Sequence, residues 1–502
     1  MSATAVLPQL DIDLAGESLD DSALSALESL RVHQVLSKPS LCELTFRSSA
    51  SIAAFQDVAI GAALTVQAGG QRQTLFSGEI TAIEYACDSL CTATVRLRAY
   101  DKLHRLRQQQ TVRMHVQVTP VELARQLCTG IGATVESEAP GPVLQNVLQH
   151  DQSDLRVLDE VARRSGLFMT LRDDVLHLIT LAGTGDAIPV APGGALLDAS
   201  VSVNADRACQ SVSATGWSAL RAALHQATAG QGATGQDADA VDMVADCPER
   251  MLTDEAADDD AQMEALAQSE LDYRRARAVV FTGVAGGNPE LRPGARVKLS
   301  GVSKQVAGQY VLASVTHSID RSRGFVSELS SEPPPPPPRS RTAVASWGTV
   351  TRVDDPEAMG RVKVALPTMN SIESDWMFVV CPGGGTGKGL IVMPDVDDQV
   401  LVLFVDRDAA QGIVLGGLCA GANPPDFGVI DGSIMRYNVC TRGGHKVRLD
   451  DQHKLLRVED ASGSFVELAP DKVTLHAQCD LEISAPGHQI VIQGSHIDFR
   501  QG

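Results

Sequence analysis

Pro382–Gly389 combines glycines with a lysine and invites a phosphate-cradling reading. That chemistry needs Gly six residues before the Lys and a Ser or Thr directly after it, to hold magnesium. Pro382 and Gly389 stand at those places. The run also lies between two predicted strands with no helix behind it, so a barrel loop is expected. The dinucleotide pattern GxGxxG fails there in every register. No GxSxG elbow occurs, and no His is followed by Glu, which removes the HExxH zinc arrangement. His488 and His496 open successive eight-residue repeats and are expected at solvent-facing strand ends, with no metal. The ten cysteines form no CxxC pair and are expected to be reduced and mostly buried, with Cys87 and Cys91 lacking a second pair for a metal. A glycoside hydrolase needs two carboxylates about 5–10 Å apart in a cleft, and 62 acidic residues single none out. No catalytic residue and no cofactor are therefore expected.

The elements that hold these residues come next. A length of 502 residues predicts two to four domains, and a net charge of −20 argues against a nucleic-acid partner. No run of 18 apolar residues occurs to span a bilayer, and Met1–Asp13 has no basic region, so synthesis in the cytoplasm without a signal peptide is expected. Six prolines, Pro333–Pro338, predict an extended polyproline II spacer. Before them, Leu41–Phe46 and Thr94–Ala99 alternate as half-buried strands do. Thr119-Pro120 predicts a helix running to Gly130, and a second helix is predicted from Ser153 to Arg164. Residues 237–260 carry ten acids and one Arg and read as a solvated loop, with a helix over Glu255–Arg277. After the prolines, five short strands within about 75 residues suggest a small barrel of the oligonucleotide/oligosaccharide-binding (OB) type.

The last part of the chain repeats. Segments beginning at Lys472, Asp480, His488 and His496 are eight residues apart. Their second column holds Val473, Leu481, Gln489 and Ile497, and their fourth Leu475, Ile483, Val491 and Phe499. One such strand cannot bury its apolar face alone, whereas several copies wound about an axis can. The seven apolar members, Val473, Leu475, Leu481, Ile483, Val491, Ile497 and Phe499, are the expected core of an oligomeric β-prism. Their burial is worth on the order of 10–20 kcal/mol per chain before entropy.

Taken together, Gly287–Leu299, Gly308–His317, Gly360–Val364, the Gly383–Gly389 loop, Met393–Val402, Gly412–Gly417 and the octads resemble VgrG-type spikes of contractile injection systems. Arg442–Asp451 and the short needle look most like spikes of extracellular, phage-tail-like systems. No hydrolase domain separates barrel from needle, and the sequence ends at Gly502 directly after the last octad, unlike effector-fused spikes. The resemblance implies a mainly β fold with these parts: a first hub β-barrel at 1–110, an α/β insert at 111–200 and a second hub β-barrel at 201–332. A Pro-rich linker at 333–345, an OB-fold barrel at 346–430 and an intertwined triple-stranded β-helix at 431–502 would follow.

It further implies a non-enzymatic homotrimer assembled into the baseplate of a phage-tail-like particle. The expected partners are the inner tube or its initiator, other baseplate proteins and a PAAR-type tip protein at Ile497, Asp498, Phe499 and Arg500. The target membrane would be met only during piercing. A peptidoglycan hydrolase and a carbohydrate-binding tail adhesin are the alternatives.

Overall fold

The computed structural model describes residues 9–47, 55, 58–69, 73–88, 93–218, 221, 223–244, 248–337, 343–404, 412–419 and 426–500. The chain divides into two compact units, Met1–Gly417 and Leu418–Gly502.

In the first unit, apolar alternation becomes strand wherever one face can be buried. Leu41–Arg47 buries Cys42, Leu44 and Phe46 and turns the intervening residues outward. With Leu30, Val32, Val95 and Leu97 they form one core, in which Phe46 and Phe55 lie 4.4 Å apart. These strands belong to an 11-stranded sheet that draws on both Leu10–Tyr100 and Leu196–Ser330. The joint is Leu27–Val35, which pairs antiparallel with Ser314–Asp320. His33 Nδ1 meets Thr316 Oγ1 at 2.8 Å across it.

Between these stretches of chain lies the α/β part. Pro120–Cys128 is a helix with a full capping box, in which Thr119 and Glu122 satisfy each other's backbone N–H groups. Asp154–Arg164 is capped by Ser153. Both helices stand where their signals put them and pack on a sheet formed by Phe168–Arg172, Val175–Ile179 and Thr134–Ser137.

The acidic stretch is more ordered than its composition implies. It contains a 3-10 turn at Asp239–Val244 and a strand, Arg250–Ala256, parallel to Val212–Ser218. Leu252 packs against the core beneath that sheet, and the buried Glu255 pairs with Arg164 at 3.4 Å. The following helix starts at Asp260 rather than Glu255, because Asp259 accepts the Gln262 N–H as its N-cap.

Cysteine burial also departs from expectation. Cys42, Cys128 and Cys209 are buried and free, but Cys87, Cys419, Cys440 and Cys479 are exposed at strand ends or beyond them. Cys91 and Cys247 lie outside the described residues.

The proline tract does not hang free of the unit over its first half. Pro333 and Pro334 are buried. Arg163 donates from Nη1 to the Pro334 carbonyl at 3.0 Å, while its guanidinium stacks on Phe168 and faces Asp159. A proline carbonyl keeps its acceptor capacity although the residue has lost its N–H, which is why this tract can dock.

Five strands close the barrel: Val344–Arg352, Arg361–Leu366, Met377–Val379, Gln399–Phe404 and Gly412–Gly417. The pairing of the first with the second completes the circle. Gly348 is required where strands crowd, since a side chain there would collide with Val364. Val112 and Leu148 of the α/β part pack on the barrel core, and Asn146 donates to Asp375 at 2.7 Å. One ion pair inside the barrel is buried: Arg361 reaches Asp355 Oδ1 at 2.7 Å and Oδ2 at 2.9 Å, with their side chains 2% and 3% exposed.

Two outcomes follow from these contacts. Asp355→Ala leaves the buried Arg361 with only the exposed Glu357, at 3.5 Å, and should cost about 3 kcal/mol in chemical denaturation at neutral pH. Hydrogen bonds from Arg361 hold the Asp355 carboxyl well below the usual carboxylate range. The pair's contribution is therefore complete above about pH 4 and is lost as pH falls through the lower folded value, so the gap between wild type and variant should narrow in acid. Arg163→Ala should release the docked prolines, and limited proteolysis should cut between residues 335 and 345 faster than in wild type.

Candidate functional site

The second unit carries the repeated segment, and its geometry begins upstream of the octads. Arg436–Cys440, Lys446–Asp450, Leu455–Glu459, Phe465–Leu468 and Val473–His476 form an antiparallel meander of five strands in sequence order. Two of its turns are set by aspartates. Asp450 accepts the backbone N–H of His453 at 2.9 Å and its ring nitrogen at 3.1 Å. Asp460 takes the N–H groups of Ser462 and Ser464 at 2.9 and 2.8 Å. The His453 backbone N–H holds the Asp450 carboxyl below its ordinary range, and the Ser462 hydroxyl does the same for Asp460. Both turns therefore favour ionised side chains.

The register that follows aligns two apolar rows on one face. Val439, Val447, Val458, Val466 and Leu475 stand opposite one another in one row. Tyr437, Leu449, Leu456, Leu468 and Val473 form the other. All except Val447 and Leu456 are exposed, up to 67% at Val473.

The opposite face is polar, and its central charges are paired. Arg457 bridges Glu459 and Glu467 at 3.1 Å each and lies 3.7 Å over the Phe465 ring, which in turn contacts His476. The sheet is thus a single layer with one polar and one apolar face.

Val473 and Leu475 of the first octad fall at the end of these rows. Leu481, Ile483, Val491, Ile497 and Phe499 lie in residues 477–500, where no strand is formed among the described residues. All five are exposed, Val491 at 69% and Phe499 at 86%. The third octad also exposes Ile490 and Ile492. At the end, Arg500 Nε donates to Asp498 Oδ2 at 2.6 Å. The apolar rows through Tyr437–Leu468 were not singled out in the sequence, although each strand shows the two-residue alternation that would have found them.

The other sequence-derived candidates give no reaction centre. The Gly383–Gly389 loop is an exposed turn closed by a bridge between Gly385 and Lys388, and exposed Leu390–Met393 follow it. His488 and His496 are exposed. Among the described residues no three His, Cys, Asp or Glu side chains gather in a metal-holding group.

The first unit thus combines a long multi-stranded sheet with a closed five-stranded barrel, and the second carries a one-sided apolar ladder. The family profile described as the phage tail baseplate hub (GPD) matches residues 33–322, and the chain belongs to that family. Residues 346–418 match the OB domain of type VI secretion and phage-baseplate injectors. Baseplate hub and spike is accordingly its role, and the family is a structural one.

No curated protein matches the sequence. Among solved structures, a chain of the lidded Francisella PdpA-VgrG complex is 8% identical with a TM-score of 0.57, covering 94% of this chain and 80% of that one. The E. coli c3393 protein is a type VI secretion component with structural similarity to the T4 tail proteins gp27 and gp5. It is 13% identical with a TM-score of 0.54, covering 78% and 96%. The 43 kDa tail protein of prophage MuSo2 from Shewanella oneidensis is 13% identical with a TM-score of 0.50, covering 64% and 97%. At these identities the likeness is one of fold.

Placing charge in the middle of the rows tests what they are for. Val458→Asp with Val466→Asp should leave the melting of the first unit unchanged and lower the solution mass of the protein, read by light scattering.

Proposed function

We propose that three copies of this chain close around their apolar rows as a homotrimer, cap the inner tube and lead it through a target envelope when the tail contracts. The observation that supports this reading is the ladder's uncovered face. A fully covered aliphatic side chain is worth about 1.5–3 kcal/mol. The eight exposed members of the rows are about half uncovered, so covering them would contribute on the order of 6–12 kcal/mol per chain, comparable to the whole net stability of a typical domain. Residues 477–500, with Leu481, Ile483, Val491, Ile497 and Phe499, would gain strand partners only from neighbouring copies.

The octads would then continue the prism as an interwound β-helix. Two related hub segments per chain would offer six similar faces to a sixfold tube or its initiator protein. Ile497, Asp498, Phe499 and Arg500 would receive a PAAR-type tip protein. Other baseplate proteins would hold the hub, and the target membrane would be touched only in passage. The chain would be made in the cytoplasm, join a phage-tail-like particle and catalyse no reaction.

Solution mass is the first test. The trimer should weigh about 159 kDa, three times the 53.1 kDa chain, and should persist on dilution. A stable 53.1 kDa species would overturn the reading. Particles assembled with a chain lacking residues 446–502 should keep an intact hub and lose delivery, and delivery at the wild-type rate would refute the piercing role.

A further inference from the structure

A cleft of about 830 Å³ opens in the first unit between the α/β sheet and the strand Thr184–Val190. Arg125, Arg172, His177 and Arg292 line it, with Glu136 and Glu138 among the acids nearby. Arg172 and Arg292 also line a smaller cavity of about 70 Å³.

Neither of these two guanidiniums has a carboxylate partner among the described residues. Arg172 donates from Nη2 to the Pro293 carbonyl at 2.8 Å, and its Nε–H is buried with no acceptor. The Arg292 carbonyl accepts the Ala295 N–H at 3.0 Å, but its side chain makes no hydrogen bond or ion pair among the described residues. Elsewhere in the unit, guanidiniums that lose water are matched: Arg105 by Glu79, Arg163 by Asp159 and Arg361 by Asp355.

Burial, and then the charge of Arg292, push Arg172 down to about 10. Burial and then Arg172 also lower His177, which already has Glu136 at 3.5 Å. Two like charges thus line a space large enough for a small molecule, and the acids on its walls have not closed on them.

We propose that this cleft binds a small oxyanion-bearing ligand, with its carboxylate or phosphoryl group held between Arg172 and Arg292. A planar guanidinium pair offers forked donors to such a group, and the anion would remove the repulsion between the two cations. The acidic walls would admit only a ligand whose remaining part is neutral or cationic. This inference is independent of the piercing role and would survive its failure.

The test is the melting temperature of the full chain in inorganic phosphate and, separately, in acetate, each against sodium chloride at matched ionic strength. The wild type should rise by about 2 °C in at least one of the two anions. The stronger response would tell a phosphoryl group from a carboxylate. Arg292→Gln should lose most of the rise, and because the substitution keeps the backbone bond to Ala295 and the Arg292 side chain has no partner among the described residues, this variant should still fold. Arg172→Gln should lose it too, while Arg96→Gln on the hub surface should keep it. No rise in wild type, or an equal rise in Arg292→Gln, would overturn the proposal.

Discussion

Water will not tolerate ten aligned apolar side chains on a sheet that has only one layer, and the second unit is organised around that constraint. At the centre of its polar face Arg457 sits between two glutamates and over Phe465. Its turns are settled as well, by Asp450 and Asp460. Much of what the chain leaves uncovered lies on one face of the meander and in residues 477–500. Such a division suits an element whose partner is another copy of itself, because every copy presents the same need. In the proposed trimer, a single chain could not fray from the bundle without re-exposing both rows.

The first unit buries its strands against one another within the chain. Its long sheet is sewn together by the pairing of Leu27–Val35 with Ser314–Asp320, nearly 300 residues apart in the chain. That contact brings the beginning and end of the hub sequence into one sheet and makes the unit's integrity depend on non-local pairing. The chain then leaves along the hub surface, through Pro333 and Pro334 held by Arg163. Asn146 and Asp375 give the barrel a second tie to the α/β part. A barrel fixed at both its entry and its wall is suited to passing load into the hub.

Local signals carried much of this into the sequence. Thr119-Pro120 with Glu122, Ser153 and the five barrel strands act within a few residues of themselves, so their reading needs no tertiary knowledge. The strand Arg250–Ala256 was hidden because acid content describes side chains exposed to solvent, whereas the strand exists through backbone pairing with Val212–Ser218 and the burial of Leu252. Tyr437, Val439, Leu449 and Val458 were passed over for a related reason. Their alternation is plain in each strand, but only the register of the meander turns it into continuous rows. The octads drew attention by exact spacing, and the irregular spacing upstream concealed the same pattern.

Arginine shows the difference between residues that build the fold and residues that await something. Arg361 is 2% exposed, and two oxygens of Asp355 meet its fork. Arg163 is 9% exposed and uses Asp159, a proline carbonyl and an aromatic face. Arg172 spends one donor on a backbone carbonyl, keeps a buried Nε–H unused and shares its space with the unpartnered Arg292. Leaving a buried donor unmet costs about 1–3 kcal/mol, and among the described guanidiniums of the first unit it is Arg172 whose buried N–H goes without an acceptor. Acids stand on the walls of the same cleft, so nothing in the local composition prevented a pairing. An arrangement that costs stability where a cheaper one was within reach is better read as a site kept open for a ligand than as incomplete packing.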